Sequence, residues 1–148
     1  MQYQPLLLAG SGTITFQTNG RIGGTSSPKF GPSECYIEAR STSTKVEIGQ
    51  NTWINNGFSE ISECGSISIG QDCHFGHDVF IIESDFHLLD PDKRNIDPGS
   101  QPVYIRNNVF IGSRVKYSKK RSKVTVALSP TALWFLAHFQ LARLSLEI

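Results

Sequence analysis

The sequence predicts an all-β fold in which the chain coils repeatedly around a narrow apolar interior, with three flat faces to each coil. Three observations predict it. Segments of one pattern recur along the chain: IGQNTW, IGQDCH, FGHDVF, IRNNVF and IGSRVK. Two pairs of them are contiguous, with Ile69 and Phe75 six residues apart and Ile105 and Ile111 six residues apart. No stretch between Met1 and Val115 carries a convincing helical period.

A six-residue period matches neither the 3.6-residue repeat of an amphipathic helix nor the alternation of a simple strand. It suits a coil that spends one hexad on each face. The leading aliphatic residue points inward and the small residue after it sits near a corner. Stacked coils then pair their backbone N–H and C=O groups and build one continuous core. A single IGxNxx segment is more simply a β-turn after a strand, but five copies reverse that reading. RIGGTS at Arg21 is a looser copy, and VEIG, SISIG and VYIR lead into hexads. Between residues 84 and 102 the repeat is interrupted by DFHLLDPDKRN and a Pro-containing run. Loops of this length in a compact domain are uncommon and often functional.

At 148 residues the chain is long enough to bury its own core. A net charge of +1 argues against the strong field of a nucleic-acid or membrane-surface binder. Cys35, Cys64 and Cys73 form an odd set without metal-ligand spacing. The only apolar run near the start is Leu6–Leu8, too short for a signal-peptide core. The cysteines therefore read as reduced thiols of a cytoplasmic protein.

His87 is the chemically suggestive residue of the interrupting loop. A neutral imidazole takes a proton from a hydroxyl near pH 7, provided a partner fixes its tautomer. Glu83, Asp85 and Asp90 are its carboxylate neighbours in sequence. Asn56, in WINNGF, lies one to two coils earlier, where its amide is placed to hold an acceptor or to donate to an oxyanion. A lone loop histidine is more simply a solvated side chain, and the repeat context is what shifts the balance. His74, His77 and His87 also raise a zinc reading, that of a hydratase. His74 ends one hexad and His77 is third in the next, which puts them on different faces, so no metal is expected.

Taken together, the hexads, the loop segment HLLDPDKRN and the following PVYIRNNVFIGS resemble the hexapeptide-repeat acyltransferases, in the branch of maltose, galactoside and surface-polysaccharide O-acetyltransferases. The resemblance covers roughly residues 10 to 115. It implies a left-handed parallel β-helix, a homotrimer, and acetyl-CoA as co-substrate in a groove between subunits. It further implies His87 as general base on a sugar or glycan hydroxyl. Asn56 matches a residue near the acceptor and the oxyanion, and Asp85 is placed as a second acceptor-binding residue. Phe110 stands where the family has a groove-lining tryptophan, and Ser113 matches a serine that contacts CoA. Cys64 stands where the galactoside enzymes carry an acceptor-binding aspartate, and the hexads begin without those enzymes' N-terminal helical segment. Both departures point to enzymes that modify bacterial surface glycans, with no nucleic-acid partner.

The resemblance ends after Val115, which divides the chain into a β-helix domain (1–115) and an aberrant tail (116–148). A basic run from Lys116 to Lys123 precedes an apolar stretch interrupted by Pro130, His138, Gln140 and Arg143. That stretch is shorter than the roughly 20 residues of a spanning helix, so stable membrane insertion is not expected. An amphipathic helix from Leu133 to Leu146 is one reading of it. A displaced reading frame near residue 116 is another, since a shifted frame over Pro130–Ile148 permits codons for a family-like ending. The competing functional reading is an inactive or structural β-helix trimer, left without the coils that would wall the CoA groove and cap the helix.

Overall fold

The computed structural model describes residues 1–96 and 98–118. Among these the chain makes thirteen strands, every named pair of them parallel. The first coil is β1 (Leu6–Gly10), β2 (Thr13–Phe16) and β3 (Arg21–Ile22), and the second is β4 (Cys35–Ala39), β5 (Lys45–Ile48) and β6 (Trp53–Ile54). The third is β7 (Ser59–Ser62), β8 (Ser66–Ile69) and β9 (His74–Phe75). The fourth is β10 (Phe80–Ile82), β11 (Val103–Ile105) and β12 (Phe110–Ile111), and β13 (Lys116–Ser118) opens the next. Each strand hydrogen-bonds to its equivalent one coil away, giving three sheets ordered β1-β4-β7-β10-β13, β2-β5-β8-β11 and β3-β6-β9-β12. This is the architecture of a left-handed parallel β-helix: the hexads predict its three-faced coil, and the resemblance implies its hand.

The leading residues of the hexads form the core. Ile48, Ile69, Phe75 and Ile111 are buried, and the columns Ile48–Ile69–Ile105 and Ile22–Ile54–Phe75–Ile111 run along the interior. The corners explain the small residue. A Cβ on Gly49 would sit 2.4 Å from the carbonyl carbon of Gly70 in the next coil. Asn51, Asp72 and Asn108 follow at φ 55, 57 and 59, a left-handed backbone that Asn and Asp tolerate better than most residues. The amide of Asn51 donates to Asp72 Oδ1 at 3.0 Å, tying two of these corners together.

β13 carries the ladder to Ser118, with Tyr117 in register with Ile81. Residues 119–148 lie outside the described residues, and with them the amphipathic segment expected over Leu133–Leu146. No helix among the described residues is long and apolar enough to cross a membrane.

Not every inward position is apolar. Glu60 lies in register between Ile37 and Ile81 and is fully buried, with no hydrogen-bond partner for either carboxylate oxygen among the described residues. Burial pushes its carboxyl up to about 8 and, with the nearby Glu60 charge, pushes the Cys35 thiol up to about 12. A carboxyl raised on folding leaves stability intact below its ordinary value of 4.5 and removes it as pH rises through about 8. Each unit of such a shift corresponds to about 1.4 kcal/mol. Glu60→Gln is therefore expected to raise the urea midpoint at pH 9, by a stability gain on the order of a few kcal/mol, and to change it little at pH 4. Parallel pH profiles for the two proteins would show that folding does not raise the Glu60 carboxyl.

Candidate active site

Two concave features carry chemistry-bearing side chains, and they lie at different corners of the β-helix. The first is a groove of about 370 Å³ along the outer face of the β3-β6-β9-β12 sheet. Register sets its wall. Arg21, Trp53, His74 and Phe110 occupy equivalent outward positions on four successive coils. The Arg21 guanidinium sits 4.3 Å from the Trp53 ring centroid, and the Trp53 and His74 rings are 5.1 Å apart at 51°. Trp53 and Phe110 remain 44% and 42% exposed, a large apolar area for a soluble surface.

The other side of the groove is a corner built from Gly23, Gly24, Asn55, Gly76 and Ser113. Gly76 is required there, because a Cβ would lie 2.4 Å from the Ser113 amide nitrogen. Ser113 Oγ accepts from the His77 amide at 3.2 Å. Asn56 is buried behind this corner, where its amide nitrogen donates to the carbonyls of Gly24 and Pro28, each at 3.0 Å. Its Oδ1 accepts from Gly24 N at 3.0 Å. The side chain is thus spent on shaping the loop at the groove's edge.

The second feature is a cleft of about 350 Å³ formed where the long loop leaves the helix after β10. Glu63, Cys64, Ser84, His87, Arg94 and Ile96 are among its lining residues. An antiparallel bridge between Ser84 and Ser100 closes the loop at its base. Asp90 caps a short 3-10 helix, Pro91–Lys93, by accepting from Asp92 N, and pairs with Lys93 at 3.3 Å. Glu83 is fully buried, and its Oε1 accepts from the backbone amides of Glu63, Cys64 and Gly65. It thereby fixes the turn that forms one wall of the cleft.

None of the three sequence-adjacent carboxylates is His87's partner. Nδ1 of His87 lies 3.0 Å from the backbone carbonyl of Arg94. A carbonyl only accepts, so Nδ1 carries the proton and Nε2 presents its lone pair. Asp85 contributes its backbone carbonyl, which accepts from His87 N at 2.6 Å. That two-residue hydrogen bond spans Phe86, whose φ is +54. A γ-turn with positive φ at a bulky central residue is rare and strained, costing on the order of 1–3 kcal/mol, and such strain tends to gather at functional sites. Sequence reading had no route to the Arg94 carbonyl, because a main-chain acceptor leaves no signature in residue type.

The structure thus places Phe110 and Ser113 together in the groove, Asn56 behind the groove's edge, and His87 in the separate cleft, with Asp85 at that cleft's strained turn. The three histidines of the zinc reading stay apart. His74 stacks on Trp53, His77 Nδ1 lies 3.2 Å from Asp78, and His87 stands in the loop. No group of three metal-ligating side chains occurs among the described residues. Lys29 holds the Asp78 carboxyl below the usual carboxylate range through a 2.7 Å hydrogen bond, with His77 adding to the effect.

No protein-family model matches the chain, and no solved structure does. A polysialic acid O-acetyltransferase of Escherichia coli O1:K1 / APEC is 30% identical over 77 residues, which is 51% of this chain. The chain covers 25% of that protein's length. The similarity relates this chain to an O-acetyltransferase.

Long-range proton–nitrogen NMR, recorded with the imidazoles neutral, is expected to show His87 as the Nδ1–H tautomer. An Nε2–H pattern would contradict the contact with the Arg94 carbonyl.

Proposed function

We propose that the chain is an acetyl-CoA-dependent O-acetyltransferase acting on a sugar hydroxyl of a bacterial surface polysaccharide, with His87 as its general base. The observation that carries this reading is the contact of His87 Nδ1 with the Arg94 carbonyl at 3.0 Å, which in the neutral ring leaves Nε2 as an acceptor on a residue that lines a cleft of about 350 Å³. The similarity to a polysialic acid O-acetyltransferase supports the acyl-transfer chemistry, and that relative's named acceptor suggests a glycan for this chain.

In this mechanism Nε2 of His87 takes the proton from the acceptor hydroxyl as its oxygen attacks the thioester carbonyl. The tetrahedral centre collapses, the C–S bond breaks, and the imidazolium returns the proton to the departing thiolate. The products are the O-acetyl sugar and CoA. Phe110, with Trp53 and His74 behind it, offers an aromatic wall for the donor, and Ser113 borders the same groove. Asn56 supports the groove through its loop, and Asp85 supports the acceptor side through the turn before His87.

The groove and the cleft lie on two different corners with the outer face of the β10 sheet between them. A donor in the groove of one copy therefore needs the His87 cleft of a neighbour. A cyclic homotrimer of triangular prisms supplies that meeting at each of its interfaces. The same reading takes the chain after about residue 116 as the product of a displaced frame, replacing coils that would extend the groove.

The test measures CoA release from acetyl-CoA with oligosialic acid and with neutral oligosaccharides, for this chain and for a version with the C-terminal frame restored. Acceptor-dependent release is expected in at least one of them, and His87→Ala is expected to lower it by about 10²–10⁴-fold. Phe110→Ala is expected to raise the KM for acetyl-CoA roughly tenfold, from a lost stacking contact of about 1.5 kcal/mol. Activity only in the restored version would assign the defect to the tail. No acceptor-dependent release from either, or full activity in His87→Ala, would sink the proposal.

A further inference from the structure

We propose that Arg40, 47 residues before His87 in the chain, is a positioning residue that holds the base in its working orientation. The inference rests on the acyl-transfer reading of His87 but is carried by separate observations. Arg40 follows β4 at the same corner from which the loop departs two coils later. The β4-β7-β10 register places Arg40, Glu63 and Ser84 one above another. From that corner the Arg40 guanidinium reaches up the stack, its carbon 4.8 Å from the centroid of the Phe86 ring.

Phe86 is the residue at φ +54 whose turn delivers the amide of His87 to the Asp85 carbonyl. A second hydrogen bond, from Phe86 N to Ser84 Oγ at 3.1 Å, fixes the other end of this turn. A bulky side chain in a left-handed conformation persists only when its surroundings over-determine it. Here the surroundings are the Ser84 hydroxyl and the face of Arg40. The guanidinium is itself pinned. Nε donates to Glu38 Oε1 at 2.9 Å, one terminal nitrogen donates to Glu38 Oε2 at 3.0 Å, and the other donates to Glu63 Oε2. Tyr36 completes the brace with a 3.0 Å hydrogen bond to Glu38. A fork tied by three hydrogen bonds is held with its carbon over the ring, an arrangement that a lysine cannot reproduce.

Arg40 thus links two walls of the cleft. Through Glu63 it holds the side that Glu83 fixes from within, and through Phe86 it holds the turn that carries His87. It touches neither Nε2 nor any reacting atom, so its role is orientation. Displacing a catalytic group by about 1 Å costs up to roughly 10²-fold in rate, which sets the scale of the effect.

The experiment compares the full chain, in whichever form transfers acetyl groups, with Arg40→Ala, Arg40→Lys, Phe86→Tyr, Phe86→Gly and the Arg40→Ala/Phe86→Gly double variant. Arg40→Ala and Arg40→Lys are expected to lower kcat by about 10- to 100-fold while leaving the KM for acetyl-CoA within about twofold, since the groove lies at another corner. Phe86→Tyr keeps the aromatic face and is expected to keep kcat within about threefold. Phe86→Gly relieves the turn but loses the ring, and in that background Arg40→Ala is expected to add less than about twofold, because the two act through one contact. Equal losses from Arg40→Ala with and without the Phe86 ring would overturn the proposal, as would unchanged kcat in Arg40→Ala. A rise confined to the KM for acetyl-CoA, with kcat unchanged, would overturn it too. If no form transfers acetyl groups, His87 is followed by NMR. A shift of its ring signals in Arg40→Ala that is absent from Arg40→Ala made on Phe86→Gly supports the link, and unmoved signals reject it.

Discussion

Every strand among the described residues is hydrogen-bonded to the strand one coil above or below it in parallel register, and the positions of the side chains follow from that stacking. With three strands per coil, a residue inherits the orientation of its equivalents in neighbouring coils. An inward isoleucine lies over an inward isoleucine, as Ile48 does over Ile69. Close approach of the coils forces glycine at the corners, where Gly49 meets Gly70, and a left-handed φ favours Asn or Asp just after it. The hexad is the sequence trace of this constraint. It is also what lets a narrow interior hold the described residues together with a single short 3-10 helix among them.

The same stacking turns isolated residues into columns, and the columns give the molecule its chemistry. Outward positions of one sheet align Arg21, Trp53, His74 and Phe110 into a wall four coils long. At another corner Arg40, Glu63 and the start of the His87 loop line up, so a residue of the second coil braces a loop of the fourth. Glu83 works from the interior side of that corner, holding three amides of one turn with a single oxygen. The inward column through Ile37, Glu60 and Ile81 shows the cost of the arrangement. The carboxyl there has no hydrogen-bond partner among the described residues, and stays inside a fold that apolar neighbours make stable.

The loop that leaves the fourth coil between β10 and β11 is structured by local chemistry instead. A proline at the first position of a short 3-10 helix, an aspartate cap and a serine–serine bridge at its base hold it without a core of its own. That economy brings the Arg94 carbonyl to the His87 ring and selects its tautomer. A histidine in solution divides its proton between both nitrogens. Here one is committed and the other is available, the condition a general base requires.

What the sequence by itself determined is the coil: the hexads, their glycines and their inward aliphatics specify the three-sheet stack and its core, because each hexad's register depends only on local spacing and close packing. It also marked His87, as the histidine of the one long interruption, while Phe110 and Ser113 were named by the resemblance to the hexapeptide-repeat acyltransferases. Only the tertiary structure decided the partners. The ring of His87 pairs with a main-chain carbonyl, which residue types do not reveal. Asn56 is spent on a neighbouring loop, because the turn from Gly24 to Pro28 packs against it and offers two carbonyls at once. Glu60 falls inside because its strand alternates, although its charge reads as exposed. Arg40 meets Phe86 because coils separated by 46 residues of sequence occupy the same corner in space. Spacing along the chain sets which way a side chain points, and the stacking of coils sets what it meets.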